Sequence, residues 1–335
     1  MTAPRTPPPI GLIVNPRSGN DIRRVFAAAG SSTVEDKVSI IRRVVIGARE
    51  AGATRFVANR EPHQVVRRAT ETMRGVEVET LADPIDNTED DTTRAVAAMR
   101  ERGCVAVVVL GGDGTNRAAA KGWPDLPVVP LSTGTNNAFP YWVEPTVAGT
   151  AVGLLATGAV AADDRTLRAA KVVRVDMPDG SPELALVDAV AVADPWVGSL
   201  ELFDPATMRV AVLTRADPAA IGFSAVGGLL VPCTADDDGG VLARFVAADG
   251  AATVLRAPTA PGHIARIGIA ECRRLAEGEP VRVDGPVLLA FDGERKRRLR
   301  DCEHAVLCVR RDGPRVVDVA AVMAAAVEAR CFVEQ

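Results

Sequence analysis

The sequence predicts two domains in one chain: an N-terminal α/β domain on a doubly wound parallel sheet, and a C-terminal all-β, sandwich-like domain. Three observations carry this. Short apolar runs alternate with helical patterns from residue 10 to about residue 160. Beyond the charged connector "ADDRTLRAAK" the pattern changes to short strands separated by turn residues. At 335 residues the chain exceeds what one core usually serves, and its 47% hydrophobic content suffices for two.

The expected boundaries are a disordered tail over 1–9, the α/β domain over 10–165, the β domain over 166–313, and a C-terminal helix over 314–335 that packs back on the body. "IGLIV" reads as a buried strand ended by the turn formers "NPRSGN", with a helix from about Asp21. "VEDKVSIIRRVVIGAREAG" places Val38, Ile41, Val45 and Ala48 at helical spacing, and Gly52 stands where a helix ends. "TRFVA" and "VEVETL" are strands around the helix "HQVVRRATETM"; "NTEDDTTRAVAAMRERG" is a helix with an acidic first turn and a basic last one. "CVAVVVL" is continuously apolar, as a strand buried on both faces must be. "VVPLSTGTNNAFP" reads as a strand, a polar loop and a helix start, followed by the helical "TVAGTAVGLLATGAV". In the second half, "KVVRVDMPDG", "LALVDAVAV", "MRVAVLT", "VLARFVA", "VLLAFDGE" and "HAVLCVRRDG" each read as one strand.

Composition narrows the partners. A net charge of −4 and a pI near 5.6 give no basic field for nucleic acid or an anionic membrane. The six cysteines form no CxxC pair, which points to reduced thiols and a cytoplasmic setting. The proline-rich "MTAPRTPPPI" lacks the apolar core of a signal peptide, and no segment has the length of a membrane span.

The chemistry concentrates in "VVVLGGDGTNRAAAK". Gly111, Gly112 and Gly114 run from a strand into a helix, where unpaired N–H groups point at an anion, and Thr115 adds a hydroxyl. Asp113 would repel a bare phosphate, so it implies bound Mg²⁺ or a proton taken from an attacking hydroxyl, and hence phosphoryl transfer. The plainer alternative is that Asp113 caps the helix. The loop differs from both GxxxxGK[ST] and GxGxxG. A second polar loop, Ser132 to Asn137, lies at the same carboxyl edge of the sheet, where open α/β sheets bind ligands, although an Asn-rich cap explains it equally well. A third, "NPRSG", follows the first strand. In "AFDGERKRRLR" the DG pair is first a hairpin turn, yet Asp292 and Glu294 could reach a shared site from the second domain. "IGFSAVGGLL", with Gly222, Ser224, Gly227 and Gly228, is either an acceptor pocket or a glycine-rich bend.

GGDGT at 111–115, the GTNN loop and the late DGE turn resemble the superfamily of NAD kinases, diacylglycerol kinases and sphingosine kinases. Within it, "NPRSGNDIRRVFA", "VVVLGGDGTNRAAAKG", "PLSTGTNNAFP" and "PAAIGFSAVGGLL" look like the acetoin-catabolism protein X family, usually described as ATP-NAD kinase-like. The resemblance implies a Rossmann-like N-terminal domain, a β-sandwich and an active site between them. It implies that Asn15, Ser18, Gly19, Gly111, Gly112, Gly114, Thr115, Asn116, Thr133, Gly134, Thr135, Asn136 and Asn137 bind ATP or another phosphate donor. It makes Asp113, Asp292 and Glu294 the catalytic acids, with Asp113 toward Mg²⁺. A homodimer or tetramer is also implied. NAD kinases carry an Asn-Glu pair in an ALNE strand; here "ALVDAV" has Val187 and Asp188, which weakens NAD⁺ as acceptor because a valine cannot make the missing hydrogen bonds. The expectation is a kinase of a soluble hydroxyl compound, with NAD⁺ the best named acceptor and a sugar, polyol or acetoin-related metabolite the alternative. Asp188, Gly222, Ser224, Gly227 and Gly228 are its candidate substrate contacts. A non-catalytic nucleotide-binding regulator is the competing expectation, and a lipid kinase is disfavoured by the acidic, aromatic-poor composition.

Overall fold

The computed structural model describes residues 6–16, 18, 32–133, 137–193 and 205–333. The expected helix from Asp21 and the loop residues Gly19, Gly134, Thr135 and Asn136 lie outside them.

The first half folds as a doubly wound α/β layer. Strands β1 (Ile10–Val14), β2 (Arg55–Ala58), β3 (Glu77–Thr80), β4 (Val107–Gly111) and β5 (Pro127–Ser132) pair in parallel in the order β3-β2-β1-β4-β5. The chain winds outward from β1 through β2 and β3, then returns to place β4 on the other side of β1. The carboxyl ends of β1 and β4 therefore form the switch point, where loops diverge and leave a crevice.

Helices cover both faces. α1 (Val34–Glu50), α2 (Val65–Thr70) and α5 (Pro145–Thr157) share one apolar core with β1, while α3 (Glu89–Glu101) and α4 (Asp113–Gly122) share a second core on the opposite face. Thr33 and Asp36 form a reciprocal capping box at the start of α1, with N–H···O distances of 2.8 and 3.1 Å. α1 and α5 touch backbone to backbone: a Cβ on Gly149 would lie 2.0 Å from the Val44 carbonyl, and one on Gly47 would lie 2.0 Å from that of Thr146.

The second half is a sandwich of antiparallel sheets. One sheet runs β12-β13-β11-β10-β9-β15-β16 and the other β14-β17-β7-β8. Their strands are β7 (Val172–Asp176), β8 (Pro182–Ala185), β9 (Asp188–Val192), β10 (Met208–Leu213), β11 (Gly240–Val246), β12 (Thr253–Ala260), β13 (His263–Leu275), β14 (Val281–Asp284), β15 (Val287–Phe291), β16 (Glu294–Leu299) and β17 (His304–Arg310). Val175, Val283 and Leu307 from one sheet meet Ala191, Val212 and Leu289 from the other in a shared core.

Several expectations need correction. "LALVDAVAV" is two strands in different sheets, because the chain turns at Leu186–Val187 around a buried carboxylate described below. The β domain does not begin at 166, nor is 314–335 only a helix. β6 (Leu167–Ala169) and β18 (Arg315–Val317) extend the first sheet past β5, with β18 parallel to β5 and antiparallel to β6. Strands of three residues carry too little alternation to read. α7 (Val319–Glu328) then packs Val319, Val322 and Ala326 into the α1–α5 core. The glycine-rich bend is a short buried helix, α6 (Phe223–Gly228). No helix starts within 137–143; α5 begins only at Pro145. At the tail, Pro9 is buried and its carbonyl accepts from the Val105 amide at 3.0 Å, so ordered structure begins before residue 10.

Candidate functional site

Three loops converge at the switch point. Asn15, which follows β1, donates from Nδ2 to the Thr115 hydroxyl at 2.9 Å, and this ties the first loop to the glycine loop after β4. Ser18 and Thr133 join their hydroxyls, which brings the loop after β5 against the same edge. Asn137 donates to the Ser132 hydroxyl at 3.2 Å. A Cβ on Gly112 would come within 3.0 Å of Asn137 Oδ1, and one on Gly114 within 3.1 Å of Glu294 Oε1. Thus Asn137 and Glu294 flank the glycine loop. Asn116 is buried and its amide donates to the Gly112 carbonyl at 3.0 Å, so that donor serves the helix.

Asp113 is not the helix cap. The N-cap of α4 is Gly112, with no side-chain bond, and Asp113 is the first helical residue. Its carboxylate accepts from the Phe139 amide at 2.8 Å and from the Ala138 amide at 3.1 and 3.2 Å. Burial pushes its carboxyl above the ordinary range, against those two amides and the positive charge of Arg215.

Asp292 comes from the second domain. With Gly293 it forms the β15–β16 turn, both residues at positive φ (50° and 82°), so the DG pair is a hairpin turn, placed beside the glycine loop of the first domain. Its buried carboxylate accepts from the amides of Leu186 (2.9 Å), Val187 (2.7 Å) and Asp188 (3.2 Å), which holds the bend between β8 and β9. Burial first, then the charge of Asp113, pushes its carboxyl up to about 7. The side chain of Val187 is buried in an apolar cluster with Ala120, Phe139 and Leu186. Asp188 contributes its backbone amide to the turn.

Two arginines complete the electrostatics. Arg117 on α4 has no solvent exposure and pairs with Glu89 at 2.5 Å, Glu294 at 3.5 Å and Asp292 at 3.9 Å. Arg215, just beyond β10, donates from Nη1 to the Ala138 carbonyl at 2.7 Å and lies over the Phe139 ring at 5.6 Å. Beside it opens a cleft of about 540 Å³, walled by Asn137 and Ala138 on one side and by the segments around Pro218, Ser224 and Cys233 on the other.

The two halves match different families. Residues 10–159 match the ATP-NAD kinase N-terminal domain, and residues 171–312 match the acetoin catabolism protein X C-terminal domain. The acetoin catabolism protein X of Cupriavidus necator is 35% identical over 329 residues, covering 94% of this chain and 91% of that protein. The chain belongs to the acetoin catabolism protein X family. Yeast NADH kinase, solved in complex with NADH, shares the fold, with a TM-score of 0.50 at 12% identity over 99% of this chain and 90% of that one.

In this acetoin catabolism protein X family member, the structure brings together Asn15, Ser18, Asp113, Thr115, Thr133, Asn137, Asp292 and Glu294 from sequence-separated loops. Of the α6 candidates, Ser224 lines the cleft, where it accepts from the Asp217 amide at 3.2 Å. Gly227 and Gly228 instead allow close packing: a Cβ there would lie 2.5 Å from Leu213 Cδ1 and 2.4 Å from the Asp217–Pro218 peptide. Gly222, at φ 78°, starts the helix. Sequence reasoning missed Arg117 and Arg215. Arg117 had a faint signal, a cation one helical turn after Asp113; Arg215, in "VLTRADPAA", had only its place at the end of an apolar strand. Among the described residues no group of three or more His, Cys, Asp or Glu is arranged to hold a metal, and no helix is long and apolar enough to cross a membrane.

Proposed function

We propose that this chain is an ATP-dependent phosphotransferase acting on the hydroxyl of a soluble acceptor, with NAD⁺ the first acceptor to test. The supporting observation is Asp113, a half-buried carboxylate set by two backbone amides at the head of a glycine-lined helix N-terminus. That helix end suits the phosphates of the donor, since its first N–H groups lack intrahelical partners. In the reaction, the acceptor oxygen bonds to the γ-phosphorus as the bond from that phosphorus to its bridging oxygen breaks. ADP leaves with that electron pair, and the hydroxyl proton passes to Asp113. A carboxyl raised above its ordinary range is a better proton acceptor than an ordinary aspartate. Asp292 and Glu294 act from the second domain, Asp292 by holding the β8–β9 bend and Glu294 beside Gly114. Glu294, beside Gly114, would reach Mg²⁺ carried on the nucleotide phosphates, which would neutralise their charge, while Asp113 is kept for the proton.

The apolar setting of Val187 favours a second reading, an acceptor smaller than a dinucleotide. Where NAD kinases place the polar pair of ALNE, this chain buries a valine among hydrocarbon. The test is NADP⁺ formation from ATP, Mg²⁺ and NAD⁺ by the wild type and by Asp113→Ala. Formation by the wild type alone supports NAD⁺. Formation undiminished in the variant rejects the role of Asp113. ATP binding without NADP⁺ shifts the acceptor to a smaller hydroxyl compound.

A further inference from the structure

The cleft beside Asp113 holds a cation with no ion-pair partner among the described residues. Arg215 uses Nη1 on the Ala138 carbonyl, while its Nε is buried and has no hydrogen-bond partner. Among the described residues no carboxylate lies within ion-pair distance of it; Asp113, Asp292, Asp217 and Asp236 act on it only from farther away. A half-buried guanidinium whose Nε is sealed and unpaired is costly unless something completes its fork. Around it the cleft has short apolar walls, including Ala216, Pro218, Ile221 and Pro232, and among the described residues no aromatic side chain lines it. It therefore offers a charge but no surface on which a base could stack. Its one acidic lining residue among those described, Asp217, is exposed and accepts from the Ala219 amide at 2.8 Å.

We propose that this cleft takes a small hydroxy compound bearing a carboxylate or phosphate, and that Arg215 is the residue that binds its anionic group. This rests on the phosphotransferase reading for what happens next, but not for the binding itself. Arg215 and Asp113 hold Ala138 from its two ends, the first at the carbonyl and the second at the amide. An anion on the guanidinium therefore sits next to the carboxylate that would receive the hydroxyl proton. A planar fork suits either oxyanion. Ser224 and Asn137 add a hydroxyl and an amide to the walls.

The experiment is calorimetric titration of the full chain with three probes that share a hydroxyl skeleton: glycerol, glycerate and glycerol 3-phosphate. No turnover is needed, so a failed kinase assay leaves the result standing. One of the anions should bind at least about tenfold more tightly than glycerol, the scale of a charge-assisted hydrogen bond, and whichever leads identifies carboxylate or phosphate. Arg215→Gln should abolish that ratio and leave ATP affinity within about twofold. Equal affinities, no binding by either anion, a ratio that survives in Arg215→Gln, or a parallel loss of ATP affinity would each overturn the proposal; the last would place Arg215 on the donor phosphates. Should Arg215→Gln fail to fold, the wild-type ratio decides alone.

Discussion

Arg117 and Asp292 are both sealed from solvent, and they face each other at 3.9 Å between α4 of the first domain and the β15–β16 turn of the second. Glu89 and Glu294 close on the same guanidinium. A cation fully enclosed by three carboxylates from two domains pins the hairpin turn onto the helix that carries Asp113. The position of Glu294 over Gly114 follows from that pin.

Removing the cation should therefore do more than remove a contact. Arg117→Ala leaves Asp292 buried with no positive neighbour at pairing distance, a change that costs about 3 kcal/mol or more. Chemical denaturation should show this loss. A change within about 0.5 kcal/mol would mean that the cluster carries no net stability.

Asp113→Asn should keep the fold and lose phosphate transfer, and it should also act on Asp292. The charge of Asp113 is one of the causes that raise Asp292 to about 7, so removing it lowers that titration. Carboxyl-carbon NMR across the pH range reads the shift. An Asp292 midpoint that stays or rises in the variant contradicts the coupling.

The same group makes stability depend on pH with a definite sign. Asp292 titrates near 3.8 when unfolded and at about 7 when folded, so the folded state binds more protons between these values. Its contribution is fully present below about pH 4 and is lost as pH rises through about 7. The burial of Asp113 adds in the same direction. Thermal melts from pH 4 to 8 should show the decline, and Asp292→Asn should flatten it.

Gly149→Ala tests the scaffold beneath the site. The new methyl would meet the Val44 carbonyl at 2.0 Å, and α1 and α5 would have to separate. Overpacking of this kind costs about 1–3 kcal/mol. An unchanged denaturation midpoint would show that the helices can part freely.

Much of the first domain is legible because its signals are local. β1, α1, α3 and β4 each carry their own periodicity, and the glycine loop announces itself through residue types that only an anion site or a tight turn requires. Less local features were lost. β6 and β18 are strands because each finds the edge of a sheet formed elsewhere in the chain. "LALVDAVAV" breaks because Asp292, about a hundred residues on, takes the amides of its midpoint.

By itself the sequence determined the layer order, the GGDGT loop and its family, since periodicity and side-chain chemistry are properties of neighbouring residues. Tertiary structure alone decided that Asp113 faces the amides of Ala138 and Phe139 instead of its own helix, that Arg117 is enclosed by carboxylates, and that Arg215 reaches the cleft with its Nε unpaired. Each of these is a matter of burial and charge between segments far apart in the chain, and distance through space is what a linear pattern does not record.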